Sequence, residues 1–433
     1  MNKEELFEYC NKLSKNNSIE FIYRENVIDT CSIKQFELNT IKNNSSSALL
    51  IRALENYQFG NCVITNITKE NIANGINQAK KIAKLKNNIK IKDFGSSKIS
   101  NAKIKFDKTL KEININNLFL EVKENLTKDK YIKSYEGGIS KAEKYQFYIN
   151  PHVNDISDLS YLTIGININT FDKTQSSGGY GEIFSKAKDI DISNVFNTAK
   201  INANNLINPL SGKKDNYTLI FIPEVLQSIV ESLILPATVG EDIEKKESYL
   251  CESINKSVFS KNLTISEEPT LDYFLGSSLI DDEGFSTSKK VIIENGVFKK
   301  AIYDQLNATI YNKAVTGNGF RGSLFSDIAC DHTNTIQNAG SQKIEDIISQ
   351  TKKGLLVYGV MGLHTSNLTN GNFSLTINQA VLIENGKLKN SITNLNFTGN
   401  CKEAFKDMIF SKEQRFFGDS TYSFGIIDNV KLV

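Results

Sequence analysis

The sequence predicts an α+β protein, with N-terminal α/β sandwich-like regions followed by a largely β C-terminal domain with hairpin repeats. Three observations predict it. Helical and strand periodicities alternate through the first half. One run, "YLTIGININT", alternates apolar and polar residues at every position. Two copies of a strand, Glu-Asn-Gly, strand pattern lie in the second half. A chain of 433 residues accommodates two or three domains. The expected boundaries are 1–90 for an N-terminal α+β domain, 100–212 for a central domain and 213–433 for the β-rich domain.

In chain order, Leu6, Cys10 and Leu13 recur at helical spacing. "IEFIYRENVIDTCSIKQFELNTIKN" and "ALLIRALENYQFGNCVIT" are β-rich runs separated by Asn and Ser turns. Thr68 can cap a helix whose Ile72, Ile76, Ala79 and Ala83 share a face, closing an α, β, β, α unit near Lys86. A Lys-rich link to about Ser100 follows. Leu162, Ile164, Ile166 and Ile168 then mark the buried side of a strand, and "DKTQSSGGYGE" reads as a loop. Val195, Ala199, Ala203 and Leu206 define another helix face before Pro209 and Gly212. "VIIENGVFKKAI" (Val291 to Ile302) and "AVLIENGKLKNSI" (Ala380 to Ile392) are hairpins, because Asn-Gly favours the positive φ angles of a type I′ turn. Their recurrence suggests internal pseudo-symmetry.

Composition excludes several function classes. Hydrophobic residues at 40% and charged residues at 23% are ordinary for a packed globular chain and unlike disorder. The net charge of +2 comes from interleaved acids and bases, so no basic stripe offers itself to nucleic acid. The start, "MNKEELFEYCNKLSKNN", has no apolar signal region, and no run of about 18 apolar residues occurs. No membrane association and a cytoplasmic location are expected. Six scattered cysteines without CxxC pairing read as reduced thiols.

Several blocks follow one another in a specific order: "ALLIRALENYQFGNCVITNITKENIANGINQAKKIAKL" (Ala48 to Leu85), "DDEGFSTSKKVIIENGVFKKAIYDQLNA" (Asp281 to Ala308), "TGNGFRG" (Thr316 to Gly322), "GLLVYGVMGLHTSNLTNGNFSL" and "TGN" (Thr398 to Asn400). In this order they resemble the TldD/PmbA (TldE) family over nearly the whole chain. The resemblance implies one of two kinds of member. The TldD kind is similar to a zinc peptidase with a HExxxH helix and a C-terminal cysteine. Two histidines a turn apart, as at i and i+4, bind zinc on one helix face, and the metal lowers the pKa of its water to about 7. The PmbA or TldE kind lacks these ligands.

Here the slot follows "YTLIFIP" and is the helix "EVLQSIVESLILP". Aligned by strand pattern, the histidine positions fall on Glu231 and Pro236, and the glutamate position on Ser232. "GDSTYSFGIIDNVKLV" places Asp419 and Ser420 about where the zinc peptidase carries cysteine. The resemblance therefore implies a non-catalytic subunit that binds no cofactor itself, with zinc on a TldD-like partner and peptide as substrate. A homodimer is the assembly considered for the chain when it is alone. A stand-alone peptidase with an unrecognised site, or a regulatory binding protein of the kind implied by the older label "DNA gyrase modulator", are the rival readings.

Other chemistry is sparse. Cys330 and His332 in "ACDHT" would share one side of a strand with Asp331 facing away, which makes two metal donors at most. His152 in "NPHVND" reads as a surface residue, and Glu283 beside Asp281 and Asp282 as a solvated acidic turn. No GxSxG elbow occurs. Carried over from the resemblance, Asn318, Arg321, His364, Asn367 and Asn372 are the candidates for a substrate cavity or interface. Arg can grip a carboxylate bidentately and Asn can pair with backbone amides. For Asn318 and Arg321 turn-shaping is the competing role. For His364 the alternatives are bracing a Thr/Asn-rich loop and gripping substrate.

Overall fold

A computed structural model describes residues 1–15, 18–86, 89–96 and 103–433. The expected link to Ser100 thus lies partly outside the described residues. In the first half α1 (Lys3–Lys15) precedes β1 (Ile19–Gln35), β2 (Glu37–Glu55), β3 (Gln58–Ile64) and α2 (Lys69–Leu85). Then come α3 (Ile115–Asn125), β4 (Ile132–Ile149), β5 (Asn154–Phe171), β6 (Gln175–Phe184) and α4 (Ile192–Asn205).

These strands form one antiparallel sheet of order β3-β2-β1-β4-β5-β6. β1 pairs with β4 from Phe21↔Ile149 to Gln35↔Tyr135, so strands from 1–90 and from 100–212 share a single sheet. Thr68 caps α2 as expected, its side chain accepting from the Asn71 amide. Two readings change. The Asn and Ser residues expected to separate the two β-rich runs lie inside β2, and the breaks fall at Gln35 (φ 59°) and at Asn56 and Tyr57 (φ 51° and 65°), which gives three strands. The stretch expected as the loop "DKTQSSGGYGE" is mostly edge strand β6, with the turn confined to Asp172, Lys173 and Thr174. Glycine is needed at Gly178 because a Cβ there would meet the Ala203 backbone nitrogen of α4 at 2.6 Å.

Helices cover one face of this sheet. Leu162, Ile164, Ile166 and Ile168 pack with Val195, Ala199 and Ala203 of α4. Phe21, Leu49, Ile51 and Phe147 pack with Leu6, Cys10, Ile72 and Ala79 of α1 and α2. The opposite face meets the second half through Ile22, Leu50, Tyr148 and Val153 against Ile280 and Leu324.

The second half contains β7 (Leu210–Ser211), β8 (Asn216–Phe221), α5 (Pro223–Ile229), α6 (Gly240–Glu244), β9 (Ile265–Glu267), β10 (Lys290–Glu294), β11 (Val297–Phe298), α7 (Gln305–Ile310), β12 (Gly319–Phe320) and β13 (Ala329–Cys330). It continues with β14 (Thr335–Gln337), α8 (Ile344–Gln350), β15 (Lys353–Met361), β16 (Asn372–Glu384), β17 (Lys387–Thr393), β18 (Leu395–Asn400), α9 (Cys401–Ala404), β19 (Ile409–Phe416) and β20 (Ser420–Lys431). Among the described residues a mixed sheet runs β11-β10-β9-β14-β20-β8-β15-β16-β17-β7, with β18 on β16 and β19 on β20.

Both Asn-Gly hairpins form. Asn295 and Gly296 have φ 47° and 78°, and Asn385 and Gly386 have φ 49° and 75°, so both central residues are left-handed as a type I′ turn requires. They sit toward opposite ends of the sheet. Between them the apolar runs of β8 and β15, paired in parallel, place Leu219, Phe221, Leu355 and Val357 in a common core. The α+β class is therefore the observed one. Among the described residues, no helix is long and apolar enough to cross a membrane.

Candidate functional site

The slot helix starts where β8 ends. Pro223 occupies its first turn, where the missing N–H costs nothing. From Val230 to Ile234 the α-helix widens into a π turn, and the Leu235 N–H donates to Val230 O at 2.9 Å. That turn corrects the one-turn spacing read from the sequence. Glu231 and Pro236 are five residues apart, which on an α-helix separates them by about 140°. The i→i+5 turn instead brings both onto one face, where they line a cavity of about 340 Å³.

The remaining wall comes from distant segments: Leu235, Val239, Cys330, Asp331, His332, Thr333, Thr335 and Asp419. The two slots that the sequence pointed to separately therefore meet. Ser420 Oγ donates to Glu231 Oε1 at 3.2 Å, and Gln227 Nε2 donates to the same oxygen at 3.1 Å. Burial pushes the Glu231 carboxyl up, and the Asp419 and Asp331 carboxylates push it further. Burial likewise raises Asp419, with Asp331 adding to the shift.

Asp331 was expected to face away from Cys330 and His332, yet all three line the cavity. β13 ends at Cys330, so strand alternation no longer applies beyond it. His332 is held from behind. Its Nε2 lies 2.9 Å from Thr238 Oγ1 and its Nδ1 lies 3.5 Å from Glu267 Oε2. Burial alone would raise Glu267, but His332, Lys290 and Thr333 outweigh it and hold the carboxyl at about 2. Burial pushes the Cys330 thiol far up.

Do these groups fit zinc? A catalytic zinc needs three protein donors around an open position. Glu231 is engaged by Gln227 and Ser420, Pro236 offers no donor, and His332 turns its nitrogens to Thr238 and Glu267. Among the described residues, no group of three His, Cys, Asp or Glu side chains could hold a metal ion. The slot does not fit the metal.

A second, wider opening of about 570 Å³ lies between the first sheet and the second half. It is lined by Gly165, Tyr180, Tyr358, Gln379 and Arg415, among others. Gln227 belongs to its wall too, so one side chain joins the cleft to the slot. Arg415 stacks over Tyr180, 4.1 Å from the ring centre, and pairs with Glu224.

The five candidates carried over from the resemblance do not gather in this cavity. Asn318 is fully buried one layer behind its wall, and its Nδ2 donates to Glu267 Oε1 and to Asp331 O, both at 2.8 Å. Arg321 lies at the junction of the two halves. Its amide donates to Asp282 Oδ2 at 2.8 Å and its Nη1 to Ser326 O at 2.5 Å. Asn367 and Asn372 hold the 366–372 loop. Asn367 Oδ1 accepts from the Thr369 and Asn370 amides, and Asn372 Oδ1 accepts from Asn400 Nδ2 at 2.9 Å. His364 is exposed and has no side-chain hydrogen bond among the described residues, so the bracing expected of it falls to the asparagines.

His152 is an exposed partner of Asp93, at 3.0 Å. Asp281, Asp282 and Glu283 are not a solvated turn; their exposures are 1%, 3% and 3%. The signal available in the sequence was the pairing of Glu231 with Asp419 and Ser420. Its weakness was that 188 residues separate Glu231 from Asp419.

The family model described as the PmbA/TldA metallopeptidase C-terminal domain matches residues 214–432. The chain is 31% identical over 280 residues to an uncharacterized protein of Methanocaldococcus jannaschii, covering 63% of each. It is 33% identical to a TldD metalloprotease homolog of Buchnera aphidicola, over 42% of this chain and 39% of that one. A metalloprotease of M. jannaschii is 25% identical over 86% of this chain and 84% of its own length. The matched stretches thus span less than two thirds of the first two relatives. Among solved structures, TldE from Thermococcus kodakarensis has a TM-score of 0.88 at 25% identity, covering 99% of both chains. A structure from Bacteroides thetaiotaomicron titled a putative modulator of DNA gyrase shares the fold, with a TM-score of 0.88 at 17% identity over 99% of this chain and 98% of that one.

Fold and sequence together define a metalloprotease-like α+β protein. The chain belongs to the TldD/PmbA family.

Proposed function

We propose that this chain is a PmbA/TldE-like, non-catalytic subunit of a TldD/TldE-type zinc peptidase that processes small or unfolded peptides in the cytoplasm. A TldD-like partner carries the zinc and activates water, while this chain completes the peptide cavity. The observation that carries the reading is the slot itself. Glu231 and Pro236, which the resemblance aligns with the zinc histidines, line one cavity beside the π turn, and Ser420 closes on Glu231 at 3.2 Å. On that alignment one histidine position is a proline, which has no side-chain donor, and the other is a carboxylate already engaged by Gln227 and Ser420. The cleft beside the slot supports a peptide role, because an extended chain can be held by backbone pairing along strands without a catalytic group on that wall.

The test measures peptide hydrolysis and zinc content for this protein alone, for a TldD-like partner alone and for the mixture. Hydrolysis in the mixture that exceeds the partner's own rate, with zinc only in samples containing the partner, is the expected result. Stoichiometric zinc and hydrolysis in this chain alone would overturn the reading.

A further inference from the structure

The junction between the first sheet and the second half is built largely from buried charge. From the first sheet come Glu20 and Arg24 on β1, Arg52 on β2 and Tyr148 on β4. From the second half come Asp281, Asp282, Glu283, Asp304 and Arg321. Lys290 also faces Asp281, and the protonated Cys330 thiol faces Asp304 and Glu283.

Four of these five carboxyls are well partnered. Both Glu20 oxygens lie 2.9 Å from Arg52 nitrogens. Asp282 accepts from Arg24 Nη2 at 2.6 Å and from the Arg321 amide. Asp304 caps α7 through the Asn307 amide at 2.7 Å. Asp281 accepts three backbone N–H groups, from Glu283, Phe285 and Gly319.

Glu283 differs. It is 3% exposed, accepts the Gln305 amide at 2.7 Å, and has no cation within ion-pair distance among the described residues. Lys290 is directed to Glu267 instead, at 3.5 Å. An ionised carboxylate so enclosed, beside the Asp281 carboxyl, is the costliest charge at the junction.

We propose that the junction is a proton-locked latch: Glu283 stays a neutral acid while the two halves are docked, and release of its proton to solvent loosens the docking. The residue is well placed for this. Its carbonyl accepts the Gly95 amide at 3.1 Å, and Gly95 O in turn accepts from Asn150 Nδ2 at the end of the first sheet at 2.8 Å. Asp282, the neighbour of Glu283, takes the Arg24 ion pair. Burial pushes Glu283 up and Asp281 adds to it, against the Arg52 guanidinium and the Gln305 amide, which favour the charged form; burial raises the Asp281 carboxyl as well. The sign follows from linkage. A carboxyl raised in the docked state supports docking fully below the ordinary glutamate value, and that support is lost as pH rises through the raised value. The proposal goes beyond the peptidase reading, and its readouts need no hydrolysis.

The test uses the full chain. Amide exchange of peptides containing Gly95 and Arg321, corrected for the intrinsic pH effect, is compared between wild type and Glu283→Gln from about pH 5 to about pH 7. Opening should rise up to about tenfold per pH unit in the wild type and clearly less steeply in the variant, where glutamine mimics the neutral acid and only the raised Asp281 carboxyl still titrates. Parallel profiles would overturn the proposal. Should Glu283→Gln fail to fold, infrared spectra of wild type with isotope-labelled glutamate decide the matter. A protonated-carboxyl band at neutral pH that disappears on alkaline titration is expected, and its absence at neutral pH would sink the latch.

Discussion

Arg52→Met tests the charge balance at the heart of the first sheet. Arg52 is 3% exposed, contacts both oxygens of Glu20, and stacks 4.0 Å from the Phe59 ring centre. Methionine keeps most of the apolar stem but removes the cation and strands Glu20, which has no exposure of its own. The Tyr148 hydroxyl would remain as its hydrogen-bond partner. The folded variant escapes a bare buried charge by protonating Glu20. At about 1.36 kcal/mol per pH unit above an ordinary value of about 4.3, this costs about 3.7 kcal/mol at pH 7 and about 1 kcal/mol at pH 5. The figure at pH 7 agrees with the roughly 3–5 kcal/mol measured on breaking buried pairs elsewhere. Because the folded-state pKa of Glu20 is raised, the stability it supports is present at low pH and lost as pH rises. Urea unfolding followed by circular dichroism at both pH values, each relative to wild type, measures the difference. A deficit of equal size at both would refute the stranded-charge reasoning and point to lost packing.

Two further predictions follow from backbone geometry. Gly60→Ala should destabilise the first half by more than the roughly 1–3 kcal/mol typical of overpacking, since its Cβ would stand 2.0 Å from Ala79 O and 2.4 Å from Ala83 N of α2. Thermal unfolding close to that of wild type would contradict it. The combined variant Glu231→His, Ser232→Glu, Pro236→His should acquire zinc near one equivalent, because the π turn directs positions 231 and 236 into the cavity that Asp419 also lines. Metal analysis after dialysis checks this, and a zinc-free variant that keeps its fold would show that the turn does not align the two positions.

The slot and the junction differ in how far they could be read in advance. Helices α2 and α4 and both Asn-Gly hairpins were legible because each depends on neighbours within one or two turns of chain: Thr68 bonds Asn71, and Asn385 and Gly386 adopt their own φ angles. Strand β6 was not legible. Its Ser and Gly residues carry a loop's composition, and pairing to β5 together with the close approach of α4 overrides it. The acids at Asp281 to Glu283 looked like a solvated turn for the same reason, since nothing local shows that Arg24 and Arg321 will cover them.

The sequence by itself determined the α+β class, the Thr68-capped helix, the hairpin turns and the absence of a HExxxH motif, all of which rest on short-range propensity and residue identity. Only the tertiary structure decided that Glu231 meets Ser420, that a π turn aligns residues five apart, that Asp331 shares a cavity with His332, and that Glu283 is sealed at a charged junction. Those outcomes depend on contacts between segments as far as 258 residues apart, as Arg24 and Asp282 are, and on which charges lose their water, and neither is encoded in any local window.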